Sequence, residues 1–217
     1  MDKLRLRFEK TGRAIYISHL DLMATMQRAF SRAGFRLQYS EGFNPHPLIS
    51  ILLPLSVGTA SVCELMDFRL CEEADLRTLP ERLTDALPEG IRIIEAYPCE
   101  RKSAELKWLD VLGRLEYDRG LPAPEALTAF FTQPEIVIEK KTKRGLGMTD
   151  IRPAIDRIAF RIDDSFIRLD ARISAQEPTL NPELLISALR QRKPELAPDF
   201  AAFTRIETYD RDHQIYR

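Results

Sequence analysis

The chain has 217 residues, 44% hydrophobic and 30% charged, which is the composition of a folded protein with one large domain or two small ones. Thirty-two basic and 33 acidic residues give a net charge of −1, so the total charge provides no general attraction to nucleic acids or membranes. Residues 1–50 nevertheless carry eight basic and four acidic side chains, whereas residues 51–100 carry four and ten.

The predicted elements of residues 1–100 follow the order β-α-β-β-α-β. The segment "LRLRFEK" alternates apolar and charged residues, as a half-buried strand does. A helix is predicted from His19 to a stop at Gly34, because Ser18 and Asp21 have the spacing of a capping box. The nearly all-apolar strand "LISILLPL", the alternating strand "SVCELMDFRL", the helix "TLPERLTDAL" and the strand "IRIIEAYPC" follow.

The pattern restarts after residue 105 with a strand, a short helix and another strand. A hairpin turning at Asp163 and Asp164, a helix entered through Asn181 and a last strand complete it. The predicted fold is α+β, with two tandem ferredoxin-like (βαββαβ) halves at residues 1–100 and 106–217, the second one degenerate.

The three cysteines form no C-x-x-C pair, and their odd number disfavours a disulfide framework, which suits a reducing cytoplasm. Their spacing also excludes an iron-sulfur cluster held by a close cysteine triplet of this chain. The first residues alternate in charge, unlike a signal peptide, and no apolar run reaches 18 residues. Walker, Rossmann and H-E-x-x-H motifs are absent from the sequence, which disfavours several common enzyme classes. The chain itself is expected to hold no cofactor and no metal.

The segment "YSEGFNPHPLIS", residues 39–50, is the main candidate site. Gly42 permits positive φ, and His46 lies between two prolines that fix φ at about −65°. Such a loop is expected to hold an aromatic ring, an amide and an imidazole rigidly, and these groups can stack on and hydrogen-bond to a base or a small planar ligand. The alternative is an ordinary connection whose prolines only stop the helix. The candidate substrate-binding residues are Ser18, His19, Asp21, Tyr39, Ser40, Gly42, Phe43, Asn44 and His46.

His19 and His46 are also candidates for general acid-base catalysis, since imidazole is the commonest group in that role. His19 with Asp21 has the residue types of a metal site. However, Asp21 is expected to cap the helix, and residues two apart on a helix point to different sides. A metal site built from both histidines and an acid is therefore the least favoured interpretation.

A second basic segment, "KKTKRGLG" at residues 140–147, combines four cations with two glycines. It has the ingredients of a phosphate cradle, although such runs are more often solvated hairpin tips. The candidate phosphate-binding residues are Arg13, Lys140, Lys141, Lys143 and Arg144.

The run from "FEKTGRAIYISHLDL" through "YSEGFNPHPLIS" to "SVCELMD", residues 8–67, closely resembles the radical-SAM-linked domain family of bacteria. The segment "KKTKRGLGMTDIRPAI" resembles a second, looser block of that family, and "SHLD" with "GFNPHP" carries most of the specificity. In that family the domain occurs alone or fused to the C-terminus of a radical SAM protein, often encoded near a ribonuclease G-type enzyme and ribosomal protein genes. The resemblance therefore implies a separate radical SAM partner that carries the cluster, but it does not supply an activity for the domain.

Three functions remain open from the sequence. The first is an accessory domain that binds RNA or a ribosome-associated substrate for the radical SAM partner. The second is an RNA-processing or modifying enzyme that uses His19 or His46, and the third is a protein-binding module with the acidic region 64–100 as its docking face. In the first, the expected basic surface consists of Arg5, Arg7, Lys10, Arg13, Arg28, Arg32 and Arg36.

Overall fold

The computed structural model describes residues 2–142 and 145–217, except for the side chains of residues 141 and 142. The chain divides into two compact units, the first ending at Glu105 and including Arg217, the second spanning Leu106–Tyr216. Each unit combines helices with antiparallel strands, as the predicted α+β class requires. None of the helices in the described ranges is long and apolar enough to cross a membrane.

The described strand pairs within the first unit are antiparallel. Strand β1 lies between β3 and β4, and β2 pairs with the other side of β3, which gives the order β4-β1-β3-β2. The elements are β1 (Leu4–Lys10), α1 (His19–Arg32), β2 (Ile49–Ile51), β3 (Ala60–Phe68), α2 (Leu79–Asp85) and β4 (Ile91–Pro98), with 3₁₀ turns at Gly12–Tyr16 and Ser103–Glu105.

The core of the first unit forms where the apolar side of this sheet meets the helices. Leu6 and Phe8 alternate inward along β1, and Met26 and Phe30 come from the apolar stripe of α1. The rings of Phe30 and Phe68 lie 5.0 Å apart between centroids. Helix α1 is thus fixed against the sheet, and its opposite face is free to carry polar side chains.

Both ends of α1 form as the sequence predicts. The Ser18 hydroxyl accepts the Asp21 N–H at 3.2 Å and donates to the Asp21 carboxylate at 2.7 Å. At the other end Gly34 has φ of +79°, and its N–H donates to the Ser31 carbonyl at 3.1 Å. The Phe35 N–H reaches the carbonyl of Phe30 at 2.9 Å, which completes a Schellman ending that favours glycine.

Helices α1 and α2 also close each other's C-terminal ends. Arg32 of α1 donates to the carbonyl of Ala86, the residue that ends α2. In return Arg82 of α2 donates to the carbonyl of Ala33, which ends α1, at 2.6 Å. The last carbonyls of a helix lack partners within the helix, so this exchange satisfies one group at each end. The Arg82 guanidinium also lies 4.3 Å from the centroid of the Phe35 ring.

The strand predicted from "LISILLPL" is much shorter in the structure, where β2 covers only Ile49–Ile51. Leu52 still donates its N–H to the Leu65 carbonyl at 3.0 Å, and bends follow. The expectation of one strand over the whole apolar segment is therefore wrong at its second half. Pro54 has no N–H to offer a neighbouring strand, so it ends the pairing.

The second unit has the strand order β10-β5-β9-β8, with all pairs antiparallel. The β8–β9 hairpin turns at Asp164, whose φ is +56°, in agreement with the predicted turn. Strand β6 pairs with β7 in a separate hairpin, where the sequence suggested either a phosphate cradle or a hairpin tip. The elements are β5 (Leu106–Glu116), α3 (Pro124–Phe131), β6 (Val137–Thr142), β7 (Gly145–Asp150), β8 (Ile155–Asp163), β9 (Phe166–Ser174), α4 (Glu183–Arg192) and β10 (Phe200–Asp210).

Candidate functional site

The proline-rich segment folds back on itself between α1 and β2. The Leu48 N–H donates to the Gln38 carbonyl at 2.8 Å, and Tyr39 forms an antiparallel bridge with Pro47. The Ser40 N–H then donates to the His46 carbonyl at 2.9 Å. We call residues 40–46 the Phe43 loop, because these backbone contacts close its base.

Contacts between Ser40 and His46 also fix the conformation of the Phe43 loop. The Ser40 hydroxyl oxygen accepts the His46 N–H at 3.1 Å and lies 2.9 Å from the His46 Nδ1. Gly42 has φ of +112°, a backbone conformation that few other residues adopt. The imidazole is therefore held through Nδ1, and its Nε2 atom has no hydrogen-bond partner among the described residues.

The loop presents its remaining side chains to solvent. Phe43 is fully exposed at the tip, and Asn44 and His46 are exposed beside it. An exposed phenylalanine contributes no packing to the core, and a single exposed apolar residue is common on protein surfaces. What distinguishes Phe43 is its place on a loop that is fixed by its own hydrogen bonds.

One side of the loop borders a groove of about 410 Å³, which we call the Asp67 groove. His46 stands at its edge, and its other lining residues include Lys3, Ile49, Phe68 and Arg69. Asp67 of β3 lies in its wall, although the side chain is almost completely buried. The groove thus joins an exposed imidazole to a wall of charged residues.

The charges in that wall are paired. The Arg5 Nε atom lies 2.6 Å from Asp67 Oδ1, and Nη2 lies 3.3 Å from Oδ2 and 3.0 Å from the Arg101 carbonyl. The Lys3 ammonium lies 2.5 Å from the same carboxylate. Burial raises the pKa of the neighbouring Cys99 thiol, which donates to Asp67.

Arg5 and Lys10 do not belong to a basic surface, so that part of the sequence-based expectation is wrong. Arg5 has 0% of its surface exposed and Lys10 has 1%. The Lys10 ammonium donates to the carbonyls of Ile15 and Ile17 at 3.1 and 2.9 Å. Burial lowers the pKa of Lys10, and the buried carboxylate of Glu64 opposes that change. Both cations are therefore interior groups of the fold, with their partners inside the protein.

The acidic region 64–100 loses part of its expected docking face for the same reason. Glu64 and Asp67 are buried in β3, beside Lys10 and Arg5 respectively. Within the described part of this region, the exposed carboxylates of Glu72 and Asp75 form ion pairs with arginines.

A second groove, of about 590 Å³, is lined by Tyr39 at the base of the loop, and we call it the Tyr39 groove. The Gln27 amide donates to the Tyr39 hydroxyl at 3.0 Å and thereby connects α1 to the loop. Arg28 and Arg36 also line this groove. The sequence analysis did not identify Gln27, and an amide on the polar face of an amphipathic helix gives no local signal of such a contact.

The two candidate catalytic histidines lie apart in their contacts. His19 is the first residue of α1 and is half-buried, while Asp21 is engaged in the helix cap. His19 lines neither groove, and no contact joins it to His46 in the described structure. Across residues 2–142 and 145–217, no three His, Cys, Asp or Glu side chains are grouped to hold a metal ion.

The candidate phosphate-binding residues lie in both units. Arg13 is exposed in the 3₁₀ turn after β1, and Lys140 is half-buried on β6. Lys143 and Arg144 lie outside the described residues, as does the side chain of Lys141. A phosphate cradle in this segment therefore stays a prediction.

The second unit contains a polar cluster that the sequence analysis missed. Asp110 of β5 accepts hydrogen bonds from Arg172 at 2.7 and 3.0 Å, from Arg157 at 2.9 Å and from the Tyr209 hydroxyl at 2.9 Å. Burial raises the pKa of Asp110, but these hydrogen bonds outweigh it and the pKa is lowered. The pairing of β5 with β9 and β10, and of β9 with β8, brings these residues together. That register cannot be read from local sequence.

Comparison with known proteins gives a family and a fold. Residues 3–182 match the family described as "Uncharacterized protein conserved in bacteria (DUF2344)". No curated protein matches the chain. A chain in the crystal structure of a Cbf5-Nop10-Gar1 complex is similar with a TM-score of 0.50 and 11% identity over 94% of this chain and 48% of that chain. This chain thus spans about half of that relative, and the likeness concerns the fold alone.

A second similar solved structure is the crystal structure of an unknown protein from Galdieria sulphuraria. It has a TM-score of 0.27 and 12% identity, with 94% of this chain and 98% of that chain covered.

Proposed function

The chain belongs to the family of uncharacterized proteins conserved in bacteria (DUF2344), and we propose that it is an accessory protein that binds single-stranded RNA for a separately encoded radical SAM enzyme. The observation that carries RNA binding is the fully exposed Phe43 on a loop locked by Ser40 and His46. Exposed aromatic rings on fixed scaffolds are the groups on which unpaired bases stack.

The surroundings of the loop support a negatively charged, base-containing ligand. Asn44 and His46 add exposed hydrogen-bonding groups beside the ring. Arg28 of α1 is exposed, lines the groove that includes Tyr39, and has no ion-pair partner among the described residues. Phosphate contacts by such cations supply affinity, while stacking and hydrogen bonds select unpaired bases.

The fold proposed for both units is ferredoxin-like. The orders β4-β1-β3-β2 and β10-β5-β9-β8, with antiparallel pairs throughout, support it, and the β6–β7 hairpin is an insertion in the second unit. A shared fold does not assign a function, so RNA binding depends on the loop and its neighbours.

The radical SAM partner is proposed from the "SHLD" and "GFNPHP" blocks and from the lack of a cysteine triplet for a cluster in this chain. The proposed location is the cytoplasm. Purification of the tagged chain from its native cells, with and without RNase treatment, tests the partnership. A radical SAM protein should co-purify in both samples. Its absence from both would contradict the partnership and leave RNA binding to be judged separately.

RNA binding itself is tested by fluorescence anisotropy with a labelled oligouridine of about 12 nucleotides, which is within the range of single-strand site sizes. Phe43→Ala should weaken binding, whereas Phe200→Ala, which removes a partly exposed phenylalanine of the second unit, serves as the matched control. Affinity should fall as salt rises. Equal affinity for the native protein and Phe43→Ala would remove the loop from the proposal, and no binding at low salt would overturn it.

A second candidate function is RNA cleavage with His46 as general acid-base. It is favoured by the contact that holds Nδ1 and leaves Nε2 without a partner beside the Asp67 groove. His46→Ala should abolish cleavage of the same oligonucleotide while Ser40 and Phe43 remain. Cleavage by that variant at the native rate would eliminate His46 from the role.

A further inference from the structure

The Tyr39 groove lies between the second half of α1 and the chain that follows it. Phe35 and Leu37 form its buried apolar floor, and Tyr39 is exposed at its edge. Its volume of about 590 Å³ lies within the range of about 300–1,000 Å³ that is usual for small-ligand sites. The groove is therefore large enough for a single planar group with a substituent.

The polar groups of the groove are partly fixed in orientation. The Gln27 amide donates to the Tyr39 hydroxyl at 3.0 Å, which orients both side chains. The Ser31 hydroxyl, from the next turn of α1, lines the same wall. An amide and a hydroxyl beside an exposed aromatic ring can hydrogen-bond the edge of a base that stacks on the ring.

The charge of the groove is positive. Arg28 and Arg36 line it, and among the described residues no carboxylate does. Arg36 pairs with Glu72 on an exposed surface, where such pairs are weak and exchange readily for another anion. Arg28 is exposed and has no hydrogen-bond or ion-pair partner in the described chain.

The fold explains the other nearby arginines but not Arg28. Arg32 and Arg82 donate to carbonyls at the ends of α2 and α1, as described above. Arg28 lies one turn before the last turn of α1 and donates to no helix carbonyl. It lines the groove together with Gln27 and Ser31, so its guanidinium is available to an anion there.

We propose that the Tyr39 groove is a nucleotide subsite for single-stranded RNA. The base stacks on Tyr39 with its polar edge toward Gln27 and Ser31, and its phosphate lies between Arg28 and Arg36. This proposal rests on the proposed RNA-binding function and adds a second contact to it, because Tyr39 and Phe43 belong to the same folded-back segment.

The exposed thiol of Cys71 provides a direct readout, since Cys71 lines the groove, whereas Cys63 is buried. In a Cys99→Ser background, the rate of Cys71 modification by a disulfide reagent is measured with and without oligouridine. Bound oligouridine should slow the modification about fivefold or more. Inorganic polyphosphate, which offers charge without bases, should protect much less.

Arg28→Ala should lower the affinity for oligouridine about tenfold and remove the protection of Cys71. The slope of log affinity against log salt should decrease in magnitude by about 0.7, as expected for one lost contact to a single strand. Arg28→Lys should retain most of the affinity, and Arg77→Ala, which removes an exposed arginine outside this groove, should change neither quantity.

The outcomes separate the subsite from the function on which it rests. Suppose that oligouridine binding depends on Phe43, that Cys71 stays reactive, and that Arg28→Ala binds as tightly as the native protein. This result would overturn the subsite and leave the RNA-binding proposal intact. Protection of Cys71 that depends on Arg28 but not on Phe43 would support the groove against the loop. Absence of oligouridine binding by the native protein would overturn both.

Discussion

Strand β1 and the surface formed by α1 with the Phe43 loop carry similar cations in the sequence and use them in opposite ways. In β1, Arg5 and Lys10 are buried, with Asp67 and two backbone carbonyls as partners. On α1, Arg28 points to solvent beside a groove, and no described residue pairs with it.

The difference follows from the cost of removing charge from water. A buried cation is tolerated only where hydrogen bonds and an opposite charge replace its hydration. The burial of Arg5 and Lys10 is therefore explained by their partners within the fold. An exposed cation keeps its hydration and needs no partner in the protein. Arg28 and Phe43 can therefore be selected for a ligand, with little consequence for stability.

The largest effect that tests this comparison is expected at Arg5. Arg5→Met should lower the free energy of unfolding by about 3–5 kcal/mol, because it leaves the buried Asp67 carboxylate without its main partner. Urea denaturation measures the change. Arg13→Met, at an exposed position in the next turn, should cost less than about 0.5 kcal/mol. Equal costs for the two variants would show that the buried pair contributes nothing.

Much of this region could be predicted from local sequence. The alternation of β1, the Ser18 cap and the Gly34 stop each depend on residues a few positions apart, and all three are found. The burial of Arg5 could not be predicted, because its partner Asp67 is 62 residues away and meets it only in the β1–β3 register.

The loop illustrates the same limit. Its prolines and glycine indicate an irregular, exposed segment, but the Ser40–His46 contacts and the Gln27–Tyr39 contact depend on how that segment folds back. Sequence therefore indicates where the candidate site lies and some of its side chains, such as Tyr39 and His46, but not the contacts that hold them.

Phe43→Ala should show the reverse of the Arg5 result. The free energy of unfolding should stay within about 0.5 kcal/mol of the native value, since the ring packs against no core residue. Oligouridine binding should weaken by about 1–3 kcal/mol, the usual value of one stacked base, as measured by anisotropy. A large loss of stability with unchanged binding would place Phe43 with the structural residues.

An intermediate effect is expected where arginines close the helix ends. Arg82→Ala should lower the free energy of unfolding by about 1 kcal/mol, because it removes a charged donor from the Ala33 carbonyl and a cation from the Phe35 ring. Chemical denaturation measures the loss for Arg82→Ala and for the control Arg77→Ala, whose guanidinium pairs with exposed Asp75. A cost no larger than that of Arg77→Ala would contradict the capping role.

The smallest effect is a pH dependence that marks Lys10 as buried. Because its pKa is lowered on folding by burial, the unfolded chain binds more protons in the alkaline range just below the ordinary lysine pKa. The contribution of Lys10 to stability therefore increases as the pH rises through that range. The unfolding free energy of the native protein minus that of Lys10→Met should therefore increase with pH in this range, as measured by urea titrations. A difference that stays constant would indicate a solvated ammonium.

The exchange of arginines between α1 and α2 has a dynamic consequence. Each helix end supplies the donor that closes the other, so opening of either end releases a carbonyl at both. Amide protons in the last turns of the two helices should then exchange with deuterium at a common opening free energy, as members of one cooperative segment.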